Sequence, residues 1–279
     1  MEIKYLFENE YSEIKILNFN SPDYYVTDEY FFDPELSGYP DIQILRGFYF
    51  FFINEYKKAL FWFSQAAKFE MLIAKFYSAL CNYKIKDYEN ALSWAIDCIN
   101  DNYIGIYHLI GQIYMLGYND ERNGIKWIIR DAERGNVLSQ TMCGLYYQKN
   151  KSELANYYYK LAAENGCSTA QNNYGTILLD ENKKEEAIFW LLKSAKQGNK
   201  IAQKNCFIFY SFYNNFKETL FWYKTLHSNN LFDLKVQCIL GKLYLTNGMT
   251  SEAETCFLDA AEKGCKESII ILGLRNCCK

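Results

Sequence analysis

A chain of 279 residues, half of them hydrophobic and 23% charged, is long enough to bury a substantial core and reads as globular rather than disordered. Its net charge of −3 and pI near 5.6 argue against nucleic acid as a partner, because phosphate-backbone binding needs clustered Lys and Arg to displace counterions. The start, MEIKYLFENEYSEIK, has no basic-then-apolar leader, and the most apolar run, 47-GFYFFFI-53, is too short to cross a bilayer, so a soluble chain in the cytoplasm, with no membrane partner, is expected.

In chain order, residues 1–40 come first and differ from the rest. They carry two turn-like spots, 20-NSPD-23 and 37-SGYP-40, no stable helical period, and all three prolines, Pro22, Pro34 and Pro40. An irregular N-terminal segment is expected there, with a repeat domain over 41–279.

The repeat shows in one series of positions. Gly47, Ala79, Gly111, Gly144, Gly175, Phe207, Gly241 and Gly273 follow one another at 32, 32, 33, 31, 32, 34 and 32 residues. About twelve residues after each of the first seven comes a second residue, small in most cases: Ala59, Ala91, Gly124, Ala155, Ala187, Thr219 and Ala253. Three residues further stands a bulky one, Trp62, Trp94, Trp127, Tyr158, Trp190 or Trp222, with Cys256 as the exception. This spacing predicts a helix A and a helix B per unit, brought close by their small residues, with the aromatic plugging the space toward the next pair. The tryptophans are therefore read as core. One pair cannot bury its own apolar face, so neighbouring pairs must stack.

The predicted units are 41–70, 71–102, 103–136, 137–167, 168–199, 200–230 and 231–265, followed by a lone final helix at 266–279. Their joints recur as 160-KLAAENGCSTAQNNYG-175, "SAKQGNKIAQ" and "DAAEKGCKES". In the first of these Gly166 is expected to stop helix B and Ser168 to cap the next helix A.

The segments "AAENGCSTAQNNYG", "SAKQGNKIAQ" and "IGQIYMLGYNDERNGIKWIIRDAERGN" resemble Sel1-like repeats, and the wider spacing is similar to the related tetratricopeptide group. The resemblance covers about 41–279 and is strongest in the third to fifth units. It implies an all-α fold, an α-solenoid of about seven antiparallel helix pairs in a right-handed superhelix, plus a final capping helix. It also implies adaptor or scaffold work, with a protein or peptide held on the concave face, and no chemistry or cofactor. Two departures stand out. Most units lack the longer Gly-rich link between helices A and B, and the sixth unit has Phe207 and Thr219 where small residues belong, which suggests a splayed pair.

The ten cysteines are irregularly placed, with no C-x-x-C, and read as free thiols. With only His108 and His227 besides, no zinc ligand spacing exists. No G-x-S-x-G, H-E-x-x-H or phosphate-cradling Gly loop is present, so the chain does not read as an enzyme.

If helix A lines the concave surface, its exposed offsets from the central residue are about −6, −3, +1, +4 and +5. In the first units these positions give an apolar stripe of Ile44, Phe48, Phe51, Phe52, Ile73, Phe76, Leu80 and Tyr83. Such a stripe is either covered by residues 1–40 as a cap or open as a docking groove for a partner helix or peptide. A second zone holds Asn172, Thr176, Lys204, Lys235 and Lys242, preceded by Thr141, Gln148 and Lys149. Its lysines either solvate a helical face or hold a carboxylate-bearing, acidic partner. His108, at the −3 offset, is either a concave binding residue or a packed one. The expected function is a protein-binding adaptor; the alternative is a dedicated inhibitor, an immunity protein or a host-directed effector, that wraps one enzyme.

Overall fold

The computed structural model describes residues 34–99, 105–149, 152–229 and 234–277, and every regular element among them is helical. The expected irregular segment and cap therefore lie largely outside the described residues; the end of that segment, Pro34–Gly38, is a short 3-10 helix. The chain divides into two compact units, Met1–Asp120 and Glu121–Lys279. The division falls inside the third predicted repeat, between its two helices.

The first unit contains α1 (Pro40–Phe52), α2 (Tyr56–Ala67), α3 (Leu72–Lys84), α4 (Tyr88–Ile99) and α5 (Ile106–Gln112), the last continued by a π-helical turn at Ile113–Gly117. The second holds α6 (Glu121–Glu133), α7 (Val137–Tyr147), α8 (Ser152–Glu164), α9 (Ser168–Asp180), α10 (Lys184–Lys196), α11 (Lys200–Phe212), α12 (Phe216–Ser228), α13 (Leu234–Thr246), α14 (Thr250–Glu262) and α15 (Lys266–Cys277). Within each unit successive helices pack side by side, and links this short force antiparallel neighbours.

Two kinds of turn set the pattern. From helix A to helix B the chain turns through one left-handed residue, Asn54, Lys86, Asn182, Asn214 or Gly248; Asn tolerates this region best among residues with a side chain. From B back to A the left-handed residue is Glu70 between α2 and α3, and in the second unit Gly135, Gly166, Gly198 or Gly264, with φ between 85° and 95°. Gly166 thus stops α8 as expected. Ser168 does not cap α9, however. It is the first helical residue, and the cap position belongs to Cys167, which makes no side-chain cap bond. One residue after the closing glycine is where the cap belongs, and Asn136 and Asn199 fill that place, accepting from the N–H of Ser139 and of Ile201 and Ala202.

The central glycines are there for close approach, and the residue they admit is not the expected one. A Cβ on Gly47 would lie 2.6 Å from the Phe63 ring, on Gly144 2.6 Å from Tyr159, on Gly175 2.9 Å from Leu191 and on Gly241 2.8 Å from Phe257. All four partners stand four residues beyond the small residue of helix B, one past the tryptophan position, and all four are completely buried. The tryptophans are more peripheral than expected: Trp62, Trp94, Trp127 and Trp190 are only half-buried. The sixth repeat adjusts by exchange rather than by leaving Phe207 unaccommodated. Phe207 fills the space itself, clustered with Leu191, Ala202, Leu226 and Val236, while Trp222 is buried in the same cluster and Tyr223 packs against it half-buried.

The second unit also carries a polar ladder. Gln140, Gln171 and Gln203 are buried, and each donates its side-chain amide to the end of the preceding helix B: the carbonyl of Ala132 at 3.2 Å, of Ala163 at 3.1 Å and of Ala195 at 3.3 Å. Each glutamine in turn accepts from the residue just past its own repeat's helix B, Asn165 at 3.5 Å, Gln197 at 2.7 Å and Asn229 at 3.1 Å. The last carbonyls of a helix have no partner within it, so one glutamine per repeat supplies one and ties three helices together.

Candidate functional site

In the first unit, the residues expected to line a groove mostly form the core instead. The Phe48 ring meets Phe63 edge-on at 5.3 Å and Tyr77 at 4.8 Å, while Phe51 meets Tyr56 and Tyr77, each at 5.4 Å. Phe63 and Tyr77 stack at 5.1 Å. Phe51 is 2% exposed, and Phe48 and Phe76 are also buried. These three are corrections to the groove: rings at the +1, −3 and +4 offsets pack into the aromatic cluster that joins α1, α2 and α3. Tyr83 is half-buried with its ring 6.1 Å from that of Tyr88, and burial, then Tyr88, raises its pKa. Only Phe52 is open.

His108 belongs to the wall, not to an open face. It lies in α5 among Ile106, Tyr107, Leu109 and Ile110, all buried, and burial lowers its pKa to about 4. The imidazole is therefore neutral near pH 7.

In the second unit the predicted polar residues differ in burial: Thr141 and Asn172 are buried, Lys204 is half-buried, and Lys235 and Lys242 are exposed. Asn172 is buried; it donates to Asn173 Oδ1 at 3.1 Å and accepts from Asn205 Nδ2 of the next A helix at 2.9 Å, a structural bridge between α9 and α11. Lys204 is half-buried on α11, and Lys235 and Lys242 are exposed on the neighbouring α13. Lys242 Nζ is bonded to Glu267 Oε1 at the start of α15, which raises the lysine's pKa and lowers the carboxylate's. One of the three expected lysines is thus already matched by an acid.

The residues that complete this surface were missed. Ile201, Ile208 and Phe212 run along one face of α11 and are 65%, 41% and 81% exposed. Leu138 and Leu145 of α7 are exposed at the corresponding −6 and +1 positions. The signal was available: Ile201, Ile208 and Phe212 stand at −6, +1 and +5 from Phe207, among the same offsets that picked out the first-unit stripe. The result is an apolar strip on α11, a helix that also carries the exposed Lys200 and half-buried Lys204, while Lys235 and Lys242 are exposed on α13, the next helix A. Among the described residues no cluster of His, Cys, Asp and Glu forms a metal site, and no helix is long and apolar enough to cross a membrane.

No family model matches the chain, and no curated protein matches it in sequence. Solved structures do match. A protective antigen present in uropathogenic Escherichia coli strains, displaying an SLR fold, superposes with a TM-score of 0.62 at 22% identity over 86% of this chain, which spans 57% of that protein's length. The C-terminal part of a TPR repeat-containing protein from Cytophaga hutchinsonii gives a TM-score of 0.56 at 14% identity, covering 80% of this chain and 96% of that one. A Sel1 repeat protein from Oxalobacter formigenes gives 0.49 at 26% identity over 60% of this chain and 54% of its own. In its fold, the chain is a Sel1-like, tetratricopeptide-like repeat protein.

Proposed function

We propose that the chain is a non-catalytic scaffold that binds a protein or peptide on the outward face of the A helices of its second unit. The observation that carries this reading is the strip of Ile201, Ile208 and Phe212, exposed along one face of α11, with lysines on the same helix and on the next helix A. Three large apolar side chains aligned at helical spacing are costly to keep in water and lose that cost against a partner. The lysines around them favour a partner whose apolar segment is flanked by acidic residues, and they set orientation and encounter rate more than affinity. The structural likeness to repeat proteins supports this reading through the fold alone.

The test is an Ile208→Asp/Phe212→Asp double variant, compared with wild type for capture of partners from the source cell. Loss of a specific partner with an unchanged melting temperature is expected. If every partner of the wild type is retained by the double variant, this face is not the binding site. Assaying the captured partner's own activity with and without the chain separates scaffold from inhibitor.

A further inference from the structure

In one repeat of the second unit the −3 side chain of helix A meets the cap residue of the next helix A. Thr141, three residues before Gly144, donates its hydroxyl to the Val137 carbonyl at 2.9 Å and has its Oγ1 3.4 Å from Cys167 Sγ. The same place recurs once more with different chemistry. Cys238, three residues before Gly241, lies on α13, and Cys265 follows the closing Gly264 and caps α15, its carbonyl accepting from the Ile269 N–H at 3.1 Å. Here both partners are thiols, and Cys265 packs against the buried cluster of Cys238, Ala253 and Phe257.

The surroundings treat the two sulfurs differently. Cys238 is buried, donates to Glu267 Oε2 at 3.3 Å, and has its pKa raised to about 11, chiefly by burial. Cys265 is partly exposed, and its pKa is lowered, first by the Ser268 hydroxyl and then by the Ser268 backbone N–H at the start of the helix. Ser268 is fully buried, and its hydroxyl makes no well-formed hydrogen bond. A Cys265 thiolate beside it is the acceptor it lacks. No other described cysteine has this setting: Cys81, Cys143 and Cys206 are buried, with pKa values pushed up to about 12.

We propose that Cys265 and Cys238 form a peroxide-responsive thiol pair, in which Cys265 reacts first and Cys238 resolves it to a disulfide that ties the start of α15 to α13. The oxidant is a small hydroperoxide. The Cys265 thiolate attacks one peroxide oxygen; the O–O bond breaks, the S–O bond of a sulfenic acid forms, and the other oxygen leaves and takes up a proton as an alcohol, or as water from hydrogen peroxide. Cys238 sulfur then attacks the Cys265 sulfur, the S–S bond forms, the S–O bond breaks, and the hydroxide leaves with the Cys238 proton as water. Two thiols and one hydroperoxide give one disulfide, one alcohol and one water. An accessible thiolate with a buried thiol in contact is the arrangement that stops oxidation at the reversible disulfide.

The experiment treats reduced, full-length protein with hydrogen peroxide, blocks the remaining thiols and maps cross-linked peptides by mass spectrometry. A Cys238–Cys265 peptide is expected, lost on adding dithiothreitol. With Cys238→Ala, a dimedone adduct should accumulate on Cys265, and with Ser268→Ala, oxidation of Cys265 should slow several-fold. Cys167 is the internal control, since it occupies the same cap with a threonine beside it. The proposal is overturned if Cys167 oxidises as fast as Cys265, if Cys265 joins Cys256, Cys277 or Cys278 instead, or if all ten thiols remain after peroxide. The wild-type map decides this even if a variant fails to fold.

Discussion

Helices α1 and α11 carry large apolar residues at the same offsets from their central positions, Phe48 and Phe52 from Gly47, and Ile208 and Phe212 from Phe207. In α1 the first of each pair is buried and in α11 it is exposed. The neighbouring rings differ between the two helices. Gly47 leaves room for the Phe63 ring to lie against α1, and that ring then forms a wall on which Phe48 rests. In α11, Phe207 occupies the space itself, and at +4, where α1 has Phe51, Ser211 turns its hydroxyl back to the Ile208 carbonyl at 2.7 Å. Nothing on that side draws Ile208 inward. The rings that other helices bring beside the +1 side chain separate core from contact surface: Phe48 has Phe63 and Tyr77 against it and is buried, while Leu145, at the same offset from a glycine, is exposed.

The largest test of this comparison is a matched truncation. Phe51→Ala should cost about 3–5 kcal/mol, because it opens a cavity in a fully packed aromatic cluster, while Phe212→Ala should stay within about 0.5 kcal/mol. Chemical denaturation checks both, and equal effects would remove the distinction between core and surface drawn here.

Next comes pH. The folded pKa of His108, lowered to about 4, lies below its unfolded value of about 6.5, so between these values the unfolded chain binds the extra proton and stability falls as pH falls. The loss is up to about 3 kcal/mol by pH 4. Melting curves of wild type and His108→Gln should converge as the pH is lowered through this window; parallel curves would place the imidazole in water.

Glycine at the pair contact ranks third. Gly175→Leu should cost about 1–3 kcal/mol, since its new side chain meets Leu191 and, at 3.2 Å, the Ala187 carbonyl. Gly273→Leu should cost little by comparison, because among the described residues nothing lies within 4 Å of its Cβ position. A fourth, smaller effect belongs to the glutamine ladder: Gln171→Ala should lose about 1 kcal/mol, and hydrogen exchange should speed up at the end of α8.

Smallest is the Lys242–Glu267 pair. It is largely exposed, so Glu267→Gln should cost less than about 1 kcal/mol, and less still in high salt. The carboxylate's lowered pKa means that this contribution is complete above its ordinary range and fades as pH falls through the lowered value. A salt-independent effect would mean that Glu267 acts through Cys238 instead.

The repeat was legible because its spacing is set by helix geometry: a central residue every 31 to 34 positions, small in every repeat but the sixth, can be read without coordinates. Gly166 was legible for a similar reason, since a helix stop needs a left-handed residue. Ser168 was misplaced by one position because a cap is defined by where the backbone turns, and Cys167, a poor capper, holds that place. The tryptophans drew attention by size, yet the residue that contacts glycine comes one position later, as Phe63, Tyr159, Leu191 and Phe257 show. At the candidate site the offsets were right and their burial was not. Ile201, Ile208 and Phe212 satisfy the same rule as Phe48 and Phe52, but exposure depends on rings from other helices. No sequence window contains both Phe48 and Tyr77.

The sequence by itself determined the helix pairs, their order and their turns, because these follow from local propensity, small-residue spacing and left-handed turn positions. Tertiary structure alone decided which apolar faces are core and which are open, which lysine is matched by Glu267, and that Cys238 meets Cys265. Those outcomes join residues about a repeat apart, where packing of one helix against the next, rather than anything local, sets the distance.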